Sequence, residues 1–267
     1  MQRHSPVDTT VDASLRLPFA PADYIQPLTD AMAGFAAIAA TTDLDAPIAL
    51  NKKWALAGLV RHLGGIHRWA AAIVETGKRV SGAPKPPLGA DLARWYQESA
   101  EALSSAIAKS RPDSTCWNFT KDPRVTAFWY RRQLHETIIH GRDADAATGT
   151  IRAIPLGVAA DGVDEVFTVM LPTVRRWGTK LPPRLTGPVL VHATDSGHRW
   201  LLTPTDDVHP AVKRQPGATV LADATVRATA DSLLMALWGR ATVAEADVTV
   251  DGDVEMARAF LDARLTP

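Results

Sequence analysis

The chain has 267 residues, 46% hydrophobic and 22% charged, which suits a globular protein with one large core or two modest ones. Its 29 Lys and Arg balance 29 Asp and Glu, so no net charge draws it to nucleic acid or acidic lipid, and no apolar run reaches the ~18 residues of a membrane span. One cysteine, Cys116, excludes an internal disulfide framework, and the polar start after Arg3 and His4 lacks the apolar core of a signal peptide, so a cytoplasmic protein is expected.

Residues 1–18 read as a polar, flexible tail. Pro18 and Pro21 lead into a first helix, Ala22–Thr41, with Ile25, Leu28, Met32, Phe35 and Ile38 on one stripe. A second helix is expected over Lys53–Arg79, carrying Leu56, Leu59, Leu63, Ile66 and Ile73. Gly64 and Gly65 sit inside it at about 1 kcal/mol each relative to alanine, and close approach of a neighbouring backbone or a ligand is one reason to tolerate them. The proline-rich loop Ser81–Pro87 precedes a third helix, Gly89–Lys109, and a fourth runs from Arg124 to just before Gly149. Four long amphipathic helices predict a four-helix bundle over residues 19–150.

After Gly149 the pattern changes. A helix is expected from Ala160 to Arg176, and Val189–Thr194 and His198–Thr203 read as a hairpin about Asp195-Ser196-Gly197. Further strands are predicted at Ala218–Ala222, Val226–Ala228 and Val248–Val250, with helices at Asp231–Trp238 and Val254–Leu265. Residues 151–267 thus form a small mixed α/β unit, and the fold class is α+β with a boundary near residue 150.

The chemistry concentrates on the fourth helix. Glu136 and His140, four residues apart, lie about 40° apart around the axis and point into one space. A carboxylate and an imidazole make two thirds of a His/His/carboxylate metal site, and His62 on the second helix is the best third ligand. His135-Glu136 also imitates the zinc-protease His-Glu-x-x-His, but His135 and His140 are five apart, about 140° around the helix, and cannot share a ligand face. His67 and His135 read as ordinary polar histidines and Trp69, Trp95, Trp117 and Trp129 as core. Arg131-Arg132 reads as a solvated or salt-bridged face, and Cys116, with no basic neighbour, as an inert thiol.

The stretches Leu59-Val60-Arg61-His62-Leu63-Gly64-Gly65-Ile66-His67-Arg68-Trp69-Ala70, Phe128–Asp145, Ala159–Glu165, Asp195-Ser196-Gly197-His198-Arg199-Trp200 and Leu237-Trp238-Gly239-Arg240 together resemble the mycothiol-dependent maleylpyruvate isomerase family. The resemblance implies a DinB-like metal-binding bundle followed by the family's C-terminal domain. It places the metal ligands at His62, Glu136 and His140, and Arg240 in substrate handling. Some members are thiol S-transferases.

The expectation is therefore a metalloenzyme in which a divalent ion, best Zn²⁺ but also compatible with Fe²⁺, activates a low-molecular-weight thiol as nucleophile. Mycothiol as cosubstrate comes from the resemblance. The thiol would serve either maleylpyruvate-type cis–trans isomerisation or S-transfer, with Arg240 gripping a substrate carboxylate. The rivals are a metal hydrolase and a non-catalytic thiol- or metabolite-binding protein. The partners expected are a small thiol and a small electrophile, and the chain is expected to be a monomer or homodimer.

Overall fold

The computed structural model describes residues 16–48, 54–120, 123–174, 181–207, 209–217, 220–263 and 265–266. Four long helices come first: α1 (Ile25–Thr41, entered through a 3₁₀ turn at Pro21–Tyr24), α2 (Leu56–Thr76), α3 (Leu92–Lys109) and α4 (Ala127–Thr148). Their ends follow local chemistry. Asp91 caps α3 by accepting from the Arg94 amide at 3.2 Å, and α2 and α4 stop at Gly77 and Gly149, whose φ of 66° and 74° suit a residue without Cβ. The apolar stripes meet in one core containing Leu28, Phe35, Leu59, Leu63, Ile73, Tyr96, Leu103 and Trp129. The glycines inside α2 have a steric reason. A Cβ on Gly64 would lie 2.2 Å from the Trp95 ring, and one on Gly65 would lie 2.7 Å from the Pro84 carbonyl oxygen.

The second half is built on α5 (Leu156–Glu165), which continues through a π turn (Val166–Met170) into the single turn α6 (Leu171–Thr173). This helix starts four residues before its predicted start at Ala160, directly after Pro155, and the predicted end at Arg176 lies outside the described residues. A five-stranded sheet follows, made of β1 (Val189–Ala193), β2 (Arg199–Thr203), β3 (Ala211–Arg214), β4 (Ala224–Ala228) and β5 (Thr249–Gly252), in the order β3-β2-β1-β4-β5. The expected hairpin forms, with Val191 opposite Trp200 and Val189 opposite Leu202. β4 lies parallel to β1, and the other neighbours are antiparallel.

The strand predicted at Ala218–Ala222 needs correction. Residues 218–219 lie outside the described set, residues 220–222 are not extended into the sheet, and the strand begins at Ala224. β3 escaped prediction because Ala211-Val212-Lys213-Arg214 is a mostly exposed edge strand with no buried alternation to read. Helices α7 (Ala230–Leu237) and α8 (Val254–Leu261) cover the sheet, α8 ending before the predicted Leu265. One sheet face joins these helices in a second core containing Val163, Phe167, Val191, Trp200, Val226, Leu234 and Phe260. No helix among the described residues is long and apolar enough to cross a membrane.

Candidate metal centre

Helix α4 carries its buried polar side chains on two faces, which serve different purposes. On one face His135 Nε2 donates to Asp161 Oδ2 at 2.7 Å, while Arg131 donates to Asp161 and to Asp164 at 2.9 and 2.8 Å. Asp164 also accepts from Trp200 Nε1 and from Arg214, so one fully buried carboxylate ties the helices to the hairpin and to the edge strand. The Arg131 guanidinium and the His135 contact outweigh the burial that would raise Asp161, and hold its carboxyl down at about 2. Gly162 lets these elements close up, since a Cβ there would lie 3.0 Å from Leu234 and 3.2 Å from His135.

The other face carries Glu136 and His140, which meet His62 from α2. His62 Nε2 and His140 Nε2 each lie 3.3 Å from Glu136 Oε1, and one ligand-type atom from each of the three residues falls within 4.8 Å of the others. Metal–ligand bonds of 2.0–2.1 Å at tetrahedral angles separate ligand atoms by about 3.3 Å, so the two histidine–glutamate separations suit a divalent cation and the three residues form a candidate metal site. The second carboxylate oxygen of Glu136 is engaged elsewhere: Oε2 accepts from Arg132 at 3.1 Å, leaving Oε1 to face the imidazoles. Burial alone would raise Glu136; its hydrogen bonds to His140 and His62, with the charge of Arg132, hold it well below the usual carboxylate range.

Asp143, one turn after His140, supports the imidazole from behind. Its Oδ2 lies 3.0 Å from His140 Nδ1, the carboxylate–histidine contact that fixes ring orientation and leaves Nε2 for a ligand role. Burial works against the charge on His140, but the carboxylates of Asp143 and Glu136 outweigh it and raise the imidazole to about 9. Arg240 in turn donates to both oxygens of Asp143, at 3.0 and 2.8 Å, and to the Trp238 carbonyl at 2.9 Å. The arginine expected to grip substrate therefore stands on the wall of the site with two of its five N–H donors on Asp143 and a third on the Trp238 carbonyl.

Arg132 is buried between Glu136, Glu165 and the Met170 sulfur, with Trp238 5.5 Å beneath its guanidinium. It belongs to the salt-bridged alternative expected for the Arg131-Arg132 pair. His67 is fully buried away from the triad, 2.8 Å from Gln133 Oε1 and 3.3 Å from the Tyr96 hydroxyl, and burial pushes it down to about 4, so it is neutral. Cys116 is buried, with Sγ 3.5 Å from the Ile73 carbonyl oxygen, and burial raises its thiol. Sequence reasoning missed Asp143 and Arg132 as partners of the triad. The available signals were the i,i+3 spacing from His140 and the i,i+4 spacing to Glu136.

The triad opens into a cavity of about 810 Å³ lined by Trp54, Asp143, Trp238, Arg240 and Thr242, where the bundle meets the segment after α7. Arg142 bridges α4 to α7 through both oxygens of Asp231 at 2.7 Å, which holds Trp238 and Arg240 against this cavity.

Fold and site together define an α+β protein with a His/His/carboxylate cluster between two helices of a bundle and a C-terminal unit closing over it. Residues 25–145 match the model of the mycothiol maleylpyruvate isomerase N-terminal domain, and residues 157–259 match that of the same family's C-terminal domain. The chain belongs to the mycothiol-dependent maleylpyruvate isomerase family. Two solved structures of the mycothiol-dependent maleylpyruvate isomerase share the fold. One, a histidine-to-alanine variant, has 12% identity and a TM-score of 0.59; the other has 13% and 0.57. Each alignment covers 89% of this chain and 96% of the other. Among curated proteins no sequence matches this one.

Proposed function

We propose that this protein is a metal-dependent enzyme that uses a low-molecular-weight thiol as nucleophile, with mycothiol the favoured cosubstrate and cis–trans isomerisation of a maleylpyruvate-type substrate the favoured reaction. The observation that carries the metal is the convergence of His62, Glu136 and His140 on one point, with Glu136 Oε2 and His140 Nδ1 already committed to Arg132 and Asp143. Family membership supports the thiol and the isomerase reading. A divalent ion held by these three side chains would leave positions open and bring a coordinated thiol's pKa low enough for thiolate at neutral pH.

The chain's own groups then have definable tasks. Asp143 and Arg240 fix the His140 ring, and Arg132 fixes Glu136, so the ligand set is held before substrate arrives. The unspent part of the Arg240 guanidinium faces a task it shares with the cavity wall, orienting a substrate carboxylate. The thiolate sulfur adds to one alkene carbon, and the π electron pair moves onto the conjugated carbonyl oxygen. Rotation about the new single bond follows; the pair returns, the C–S bond breaks and the thiol is released unchanged. No described side chain lining the triad's cavity is a cysteine, and Cys116 is buried elsewhere, which supports a thiol supplied from outside the chain.

S-transfer differs only in the fate of the adduct, which persists. Turnover measured with and without added thiol, while counting free thiol, tests the reading. Isomerisation requires thiol and leaves its concentration constant; S-transfer consumes it one for one. Equal turnover in thiol-free buffer contradicts both and favours a hydrolase.

A further inference from the structure

Helix α7 ends in a compact turn. The Gly239 amide donates to the Ala236 carbonyl at 2.9 Å and the Arg240 amide to the Met235 carbonyl at 2.8 Å, with Gly239 at a φ of 63°. This paired closure of a helix end reverses the chain through a left-handed position that suits glycine. The reversal brings Arg240 back to Trp238. Its guanidinium lies 5.8 Å over the Trp238 ring and donates to the Trp238 carbonyl at 2.9 Å. A second guanidinium, that of Arg132 from α4, lies 5.5 Å over the same ring.

The ring is buried, and its Nε1 has no hydrogen-bond partner among the described residues. A buried N–H without a partner is unfavourable, and phenylalanine would present an aromatic face without it. What the indole adds is a stronger attraction for cations, which grows as the cation leaves water. Arg132 is 4% exposed and the Arg240 side chain 17%, so both meet the ring largely desolvated. The two guanidiniums lead to different ligands. Arg132 donates to Glu136 Oε2 at 3.1 Å. Arg240 donates to both oxygens of Asp143, whose Oδ2 lies 3.0 Å from His140 Nδ1. Each ligand on α4 is thus held through an arginine, and both arginines rest on one ring supplied by the C-terminal unit.

We propose that Trp238 is a positioning residue of the metal centre: its ring braces Arg132 and Arg240 together and so sets Glu136 and His140 for the ion. The purpose of the brace rests on the metal-dependent reading. The bracing itself requires neither metal nor thiol.

The test compares Trp238→Leu and Trp238→Phe with the wild type in the full-length protein. The readouts are cobalt affinity by competition with a chelating dye and NMR of the arginine Nε–H groups in metal-free protein. Trp238→Leu, which keeps an apolar side chain without a π face, should weaken cobalt binding about tenfold or more. Trp238→Phe, with a weaker π face, should lose no more than about threefold. Arg240→Gln should weaken binding less in the Trp238→Leu background than in the wild type, because the two side chains act along one path. In metal-free wild-type protein the Arg132 and Arg240 Nε–H signals should be shifted upfield by the ring, and Trp238→Leu should abolish both shifts. Unchanged affinity in the Leu variant, an equal loss in the Phe variant, or additive effects of Arg240→Gln and Trp238→Leu would each overturn the proposal. Unshifted arginine signals in the wild type would also overturn it, whether or not the Leu variant folds. A wild type that binds no cobalt, with arginine signals that still depend on Trp238, would sink the metal reading and leave the bracing standing.

Discussion

The two faces of α4 carry similar residues with opposite fates. His135 and His140 are five positions apart, both buried and both against carboxylates. His135 meets Asp161 inside a network where Arg131, Arg214 and Trp200 supply donors to Asp161 and Asp164, so the charges are answered within the protein. On the His140 face, Glu136 Oε1 meets two imidazole Nε2 atoms at a cavity wall, and the three donors fit an external cation. What packs opposite a helix face decides whether a buried histidine is cement or ligand. Both neighbours come from parts of the chain far away in sequence: α5, β2 and β3 for His135, and α2 for His140.

The largest effect should separate the faces outright. His140→Ala should reduce bound divalent metal from about one ion per chain to near none, read by elemental analysis, because one of three protein ligands is gone. His135→Ala should keep the metal and instead lower stability by about 3 kcal/mol, read by denaturant unfolding, because it breaks a buried pair. Metal loss in the His135 variant with retention in the His140 variant would invert the assignment.

A smaller effect tests the support behind the ligand. Asp143→Asn should weaken metal affinity about 10- to 100-fold while leaving the fold intact, measured by competition with a chelating dye. An unchanged affinity would reduce the Arg240–Asp143–His140 chain to structural packing.

The pH dependence follows from His140. With its metal-free pKa raised to about 9, the imidazole is protonated at neutral pH and the metal must displace that proton. Metal affinity should therefore rise with pH, by about tenfold between pH 7 and 8, and level off above 9. A flat profile over that interval would mean that His140 is already neutral before the ion arrives. The smallest effect belongs to Cys116. Its buried thiol is remote from the triad's cavity, so Cys116→Ser should leave thiol-dependent turnover within about threefold; a thousandfold loss with intact fold would make it a covalent nucleophile.

Much of this was legible in the chain. The stripes on α1 to α4 gave the bundle because period 3.6 is strong over four long helices, and the i,i+4 spacing of Glu136 and His140 fixed their common face. The five-residue offset of His135 correctly put it elsewhere. Less was legible where partners are remote. Arg132 could be read as exposed or paired, and only the end of α5 and the following π turn, which bring Glu165 and Met170 to it, decide. Asp143 carried only its i,i+3 spacing from His140 as a mark, while Asp145, five residues after His140, holds Arg152 instead. The resemblance placed Arg240 at the site, but its bidentate grip on Asp143 spans 97 positions and has no sequence pattern.

The central claim is that His62, Glu136 and His140 hold a metal that takes a thiol directly. Cobalt-substituted protein reads this without turnover, because a thiol entering the coordination sphere produces an intense near-ultraviolet sulfur-to-cobalt charge-transfer band. The account predicts that the band appears when thiol is added to the wild-type protein and saturates at one thiol per cobalt. Wild-type protein that binds cobalt at the triad and turns over with thiol, yet never shows the band, would contradict it.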